Sequence, residues 1–256
     1  MEKPDILQRR ITIILLLATL LTSMVFVVFP QADLFISGLF ASPDGGFPLA
    51  ESGVLNTIRE IFIVVMWLFI YAALLFMMCS ILLHVPRNVP LRIWVYPVVV
   101  SLAGPLFLVN VILKNNWGRA RPFRVEEFGG TLDFTPAYYL SDQCATNCSF
   151  TSGEGAAIAT VTIVTGVLLW RTMRHSILLG ALVPLFVFGA GLRVAMGMHF
   201  ISDTLLSALF CALIALFFFW IFDIGAHRQK LTWSNAKADF VNFGKFSRRF
   251  GSNPKK

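Results

Sequence analysis

Residues 61–83 read IFIVVMWLFIYAALLFMMCSILL, an unbroken run with no charged side chain. A helix of about 20 apolar residues crosses the ~30 Å hydrocarbon core of a bilayer, so this run is long enough to span it. An open sheet would leave backbone groups unpaired in hydrocarbon, so the expected form is a helix. Working outward, five more runs follow the same rule: Ile11–Phe29, Ile93–Leu113, Glu154–Trp170, Ile177–Leu192 and Phe200–Ile224. The run from Glu154 is short and rich in Gly, Ala and Thr, which suits close packing against neighbouring helices. The predicted fold is all-α: a polytopic bundle of six transmembrane helices over residues 1–224, followed by a basic tail over 225–256.

Composition agrees with lipid as the main solvent. The chain has 256 residues, of which 57% are hydrophobic and 14% charged, with a mean hydropathy of +0.74. Soluble domains carry about a quarter charged residues. The net charge of +7 does not indicate nucleic acid here, because the positive residues sort by loop. Lys3, Arg9 and Arg10 precede the first span; Arg87 and Arg92 follow the second; Arg171 and Arg174 follow the fourth; eight more trail the sixth. All of these segments fall on one side, which the positive-inside rule makes cytoplasmic, with both termini. The first run exceeds a signal-peptide core of about 7–15 residues and is read as a retained span.

The other side carries Arg59, Lys114, Arg119, Arg121, Arg124 and Arg193. A breach of the charge rule this concentrated asks for a functional reason. Three stretches on that side carry chemistry. In the first, Lys114, Arg119, Arg121 and Arg124 lie close together and can surround a multiply charged anion, arginine as a planar fork and lysine as a compact charge. Snorkelling to lipid headgroups is the alternative use. In the second, Ser149 to Gly155, small residues open a helix whose N-terminal N–H groups suit an anion. Ser152 adds a hydroxyl, and Gly153 lets the backbone approach. Glu154 has two readings, an acid–base group or the second half of a Thr151–Glu154 capping box. In the third, His199 and Asp203 are four residues apart, so on a helix they share a face. An Asp that accepts from one imidazole nitrogen leaves the other free to attack. His84, His175 and His227 fall on the cytoplasmic side, and His199 alone falls outside.

Taken together, these stretches resemble the type 2 phosphatidic acid phosphatase (PAP2) superfamily, whose pattern is Lys-x6-Arg-Pro, then Pro-Ser-Gly-His, then Ser-Arg-x5-His-x3-Asp. The first motif is complete in Lys114, Arg121 and Pro122; the second survives as Ser152 and Gly153; the third survives as Arg193, His199 and Asp203. Thr151 and Glu154 stand where the family has Pro and His, and Leu192 where it has Ser. The stretch from Cys144 to Gly153 is similar to the second motif of bacterial lipid A phosphatases, especially the 4′ type.

The resemblance implies a metal-free membrane phosphatase with no cofactor, in a bacterial inner membrane and open to the periplasm. His199 forms a phosphohistidine, oriented by Asp203. Lys114, Arg121, Arg193, Ser152 and Gly153 hold the phosphate oxygens. Glu154 takes the family histidine's place at the leaving group. Arg119 and Arg124 are expected further out, as supporting or headgroup contacts. The substrate class is a phosphorylated lipid: lipid A first, with phosphatidylglycerophosphate and undecaprenyl diphosphate as alternatives. A non-catalytic lipid-binding or transport protein is the rival from another class.

Cys144 and Cys148 sit in the outer loop, where a local disulfide is expected; a metal clip would need further ligands that are not nearby. The aromatic loop 123–147 either covers a headgroup or packs on itself. In the tail, Phe240, Phe243, Phe246 and Phe250 recur at helical spacing among Lys245, Arg248 and Arg249. That pattern suits a helix on an anionic membrane surface, or else a disordered basic tail.

Overall fold

The structure, a computed structural model, describes residues 6–82 and 87–251, with side chains placed for 9–82 and 87–243. Lys3, Leu83 and His84 lie outside the described residues, as do the side chains of Lys245, Phe246, Arg248, Arg249 and Phe250. Among the described residues the regular secondary structure is helical, apart from one isolated bridge between Val125 and Leu132, with turns and irregular loops between the helices. We label the main helices α1 (Ile6–Val28), α2 (Gln31–Gly38), α3 (Gly53–Leu82), α4 (Leu91–Asn116), α5 (Gly153–Leu169), α6 (His175–Ala195), α7 (Ile201–Ile221) and α8 (Trp233–Gly251).

Five helices are long and apolar enough to cross a membrane: α1, α3, α4, α6 and α7. The sixth predicted span, α5, has 17 residues, about 25 Å of rise. Its length has a packing reason. Most of α5 is buried, including Gly155, Ala156, Ala159, Thr160 and Val164. It is the bundle's central helix, set against α4, α6 and α7. A helix enclosed by protein need not match the lipid thickness, and its small side chains let the neighbours approach. The outer helices do the reverse: Ile14, Leu20, Leu68 and Leu75 expose large apolar side chains to the surroundings, as a lipid-facing surface must.

α4 carries Pro97 and Pro105, and its backbone takes a wider π-helical register from Leu102 to Leu113. Proline supplies no N–H and crowds the preceding turn, and a π segment accommodates both while re-aiming the residues beyond it. The first residue re-aimed in this way is Lys114. The Asn110 side chain donates back to the Pro105 carbonyl at 2.7 Å.

The aromatic loop packs on the protein instead of standing free. Phe128 is buried against Phe47, Phe134 lies edge-on to Phe200, and Tyr138 meets both Phe150 and the Ser23 hydroxyl. Phe123 at the start of this loop and Tyr139, 65% exposed, face outward. Gly118, at φ +68°, sits so close to the Ser141 carbonyl that any Cβ would collide with it.

At the opposite end, the part of the tail from Trp233 to Gly251 forms the helix α8. Buried Asp239 accepts from the Asn88 and Val89 backbone N–H groups and from the Asn88 side chain. Phe243 is buried while Phe240 is exposed, so these two do not share one lipid-facing stripe.

Candidate active site

The site forms where the C-terminal ends of α4 and α6 meet the N-terminal ends of α5 and α7. Its centre is His199, 2% exposed. The expected shared helical face with Asp203 is not what the structure has. His199 lies in the turn before α7, whose first residue is Ile201, and its backbone N–H reaches back to the Arg193 carbonyl at 3.2 Å. The Asp203 carboxylate is 3.9 Å from His199 Nδ1, beyond hydrogen-bonding distance. Nδ1 instead donates to the Ser149 backbone carbonyl at 2.8 Å. That carbonyl can only accept, so the proton is fixed on Nδ1 and Nε2 keeps its lone pair. Asp203 acts one step removed: its Oδ2 accepts from the Ser149 hydroxyl at 2.6 Å and from the Phe200 N–H at 2.9 Å. It holds the residue that holds the imidazole.

Asp203 is in turn part of a buried ion network. Its Oδ1 accepts from Arg119 Nη1 at 2.6 Å. Arg119 also donates to Asp33 Oδ2 at 2.8 Å, to the Ser202 hydroxyl at 2.8 Å and, through Nε, to the Thr135 carbonyl at 2.8 Å. Its guanidinium lies over the Phe200 ring, 4.3 Å from the centroid. Asp33, from α2, accepts from both the N–H and the hydroxyl of Ser202. Arg119 is 0% exposed. The expectation that it could contact a headgroup is therefore corrected: two carboxylates draw its guanidinium inward. Arg124 is the exposed one and lies beside the Phe123 ring.

The cations that face the imidazole come from three elements. Lys114 Nζ donates to Asn147 Oδ1 at 3.0 Å, and Arg121 Nη2 to the Asn147 backbone carbonyl at 2.9 Å. Asn147 sits inside the short loop closed by the Cys144–Cys148 disulfide. The Cys148 N–H donates to the Lys114 carbonyl and the Ser149 N–H to the Arg119 carbonyl, which stitches this loop to the end of α4. Arg193 closes α6 with its side chain 8% exposed, and among the described residues its Nε finds no hydrogen-bond acceptor. These three cations, after burial itself, hold the His199 pKa well below the ordinary imidazole range. Burial also lowers the Arg121 pKa, with Arg124 adding to it. The imidazole is therefore neutral at physiological pH.

Ser152 is the N-cap of α5, and its hydroxyl accepts from the Gly155 N–H at 3.1 Å. That excludes the capping-box reading of Thr151 and Glu154. It also occupies a lone pair of Ser152, whose hydroxyl proton has no acceptor among the described residues. Among the described residues, the first-turn N–H groups of Gly153 and Glu154 have no protein acceptor, as expected at a helix start. A Cβ on Gly153 would lie 2.7 Å from the Asn110 side-chain oxygen and 3.3 Å from Lys114 Nζ, so a larger residue there would push on the side chains beside the site. Glu154 points to Arg59 of α3: Nη2 donates at 2.8 Å and Nε at 3.0 and 3.2 Å to its two oxygens. Arg193 Nε is further away, at 3.4 Å.

A dry, neutral imidazole ringed by lysine and arginine at a helix N-terminus is suited to a phosphate group. The model of the PAP2 superfamily matches residues 94–224. The chain belongs to the PAP2 superfamily. Among curated relatives it is 32% identical to the lipid A 4′-phosphatase of Rhizobium etli, over 75% of this chain and 81% of that one. It is 30% identical to the lipid A 4′-phosphatase of Rhizobium leguminosarum, over 75% and 90%. It is 29% identical to the lipid A 4′-phosphatase of Francisella tularensis subsp. novicida, over 80% and 90%. No solved structure matches the chain significantly.

The structure adds four residues that sequence reasoning did not assign to the site: Asp33, Arg59, Asn147 and Ser149. Ser149 acts through its backbone carbonyl, for which sequence carries no signal. Asp33 and Arg59 each carried a faint signal, as charged residues near the ends of apolar helices, where a partner is expected.

Proposed function

We propose that this protein is a membrane lipid phosphatase that removes the 4′-phosphate of lipid A through a phosphohistidine on His199. The observation that carries the proposal is the His199 ring: Nδ1 tied to the Ser149 carbonyl, Nε2 left with its lone pair, and Lys114, Arg121 and Arg193 around it. In the first step the Nε2 lone pair attacks phosphorus and the bond from phosphorus to the leaving oxygen breaks. Glu154 gives that oxygen a proton. In the second step water attacks phosphorus, the P–N bond breaks, and a proton passes to Glu154. The products are the lipid alcohol and inorganic phosphate.

Lys114, Arg121 and Arg193, with the Ser152 hydroxyl and the Gly153 N–H, stabilise charge on the equatorial oxygens. Every group in this reading is a protein side chain or backbone amide, and no step needs a metal. Arg59 engages the Glu154 carboxylate in this structure, so the first turnover needs a proton delivered to Glu154 from solvent or from the substrate's phosphate, and the attacking water returns one in the second step. Exposed Arg124 contacts the substrate headgroup at the rim.

The sorting of Lys and Arg between loops supports a site on the periplasmic face of a bacterial inner membrane, with both termini in the cytoplasm. It also supports six crossings, with α5 as the enclosed one. Residues 1–224 then form the phosphatase domain, and α8 rests at the cytoplasmic surface. The names of the relatives favour lipid A over phosphatidylglycerophosphate or undecaprenyl diphosphate. The Glu154–Arg59 pair favours one second reading, an anion-binding protein without turnover.

Phosphate release from bisphosphorylated lipid A, by purified protein in detergent with EDTA present, tests both. Release that His199→Ala and Glu154→Ala each abolish is the expected result. Release that survives Glu154→Ala would remove Glu154 from the chemistry. No release from lipid A or from the two alternative lipids would leave the binding reading.

A further inference from the structure

Arg59 stands apart from the three motifs and from residues 94–224, which match the family. It is nevertheless brought to the site by packing. Arg59, Phe62, Ile63 and Met66 fall on one face of α3 by their spacing. Phe62, Ile63 and Met66 pack against Ile158 and Val161 of α5 and Ala190 of α6. That contact sets Arg59 opposite the first turn of α5, where Glu154 stands.

The two arginines beside Glu154 are held very unequally. Arg59 makes three hydrogen bonds to the carboxylate, the shortest at 2.8 Å. Arg193 is 3.4 Å away through Nε, and that Nε, although buried, has no acceptor at hydrogen-bonding geometry among the described residues. A buried guanidinium N–H left open costs free energy unless a ligand fills it. The unmet donor on Arg193 is thus an independent pointer to an anion.

We infer that Arg59 is a positioning residue for the phosphate site: by holding Glu154 to itself, it keeps Arg193 open for the substrate's phosphate. The inference rests on the reading of Lys114, Arg121 and Arg193 as phosphate ligands. A carboxylate beside Arg193 competes with phosphate for the same donors and repels a second anion. Arg59 offsets that charge and engages both carboxylate oxygens from the α3 side before substrate binds. Without Arg59, the nearest unmet cation for Glu154 is Arg193 itself, and the site closes on its own carboxylate. Glu60, which also meets Arg59 at 3.1 Å, is largely exposed, so it does not substitute for this role.

The test uses the full chain in detergent with inorganic phosphate and orthovanadate as probes, reading apparent Kd from the rise in unfolding midpoint with ligand. The variants are Arg59→Gln, Arg59→Lys, the double Arg59→Gln/Glu154→Gln, and His199→Ala as a binding control. Arg59→Gln is expected to weaken binding roughly tenfold, the size of one lost charge-assisted contact. The double variant is expected to recover most of that loss, because the freed carboxylate is gone, and Arg59→Lys to lie between. In turnover assays the Arg59→Gln loss should appear mainly in KM.

Wild-type affinity in Arg59→Gln, or a double variant binding no better than the single, overturns the inference. So does a wild type with no response to either anion. Should Arg59→Gln fail to fold, Arg59→Lys against the double variant carries the same comparison. Binding that keeps the expected order while no lipid is hydrolysed leaves Arg59 in its role and removes the phosphatase reading.

Discussion

Arg119 and Arg121 are two residues apart in one motif and do opposite work. Arg119 is fully buried, paired with Asp33 and Asp203, and bonded to Ser202 and the Thr135 carbonyl. Nearly every donor it has is spent on the protein. Arg121 donates to one carbonyl and touches the Met198 sulfur at 3.8 Å. The rest of its fork has no hydrogen-bond acceptor among the described residues. The first arginine belongs to a closed network that holds the floor of the site, and the second to an open ring suited to an anion. Residue type does not distinguish them. The number of protein acceptors each one meets does.

The comparison breaks most visibly at Arg119. Arg119→Ala should leave two buried carboxylates facing each other and cost about 3–5 kcal/mol. The readout is a fall in the unfolding midpoint of roughly 10 °C for a chain of this size. An unchanged midpoint would mean that the network is not closed. Arg121→Ala should do the converse. Its midpoint should stay near that of the wild type, while kcat/KM falls about 10²- to 10³-fold, as when a donor to the transition-state charge is removed. Asn147→Ala sharpens the same contrast from the side of the ring. Lys114 loses its tether to the Asn147 side chain, and activity should fall about five- to tenfold with little change in stability.

The smallest effect is in pH dependence. The His199 pKa is lowered by burial and by the three cations. A lowered imidazole pKa keeps the neutral form as pH falls. The acid limb of kcat/KM should therefore lie below the ordinary imidazole value of about 6.5. Arg193→Gln should move that limb upward, since it removes one of the charges that depress it.

Much of this was legible in sequence. The apolar runs pointed to a membrane bundle, and the spacings Lys114-x6-Arg121-Pro122 and Arg193-x5-His199-x3-Asp203 marked the residues that converge. Four things were not legible. The length of α5 reflects enclosure by its neighbours, and hydropathy does not report that. The partner of His199 Nδ1 is a backbone carbonyl, which every residue carries. The i, i+4 spacing implies a shared face only where a helix runs through His199, whereas the turn from Met196 to Phe200 ends one helix before the next begins. The inward turn of Arg119 depended on Asp33, some 86 residues away along the chain, and no local pattern reaches that far.

The proposed chemistry stands or falls on His199 Nε2 as the nucleophile. The most direct measurement is rapid-quench trapping with substrate labelled in its phosphate, followed by localisation of the label. The expected result is an acid-labile, alkali-stable phosphoryl group on His199. No label is expected in His199→Ala, whose turnover should be at least about 10⁴-fold lower. A label on another residue, or a His199→Ala variant that still turns over substrate, would contradict it.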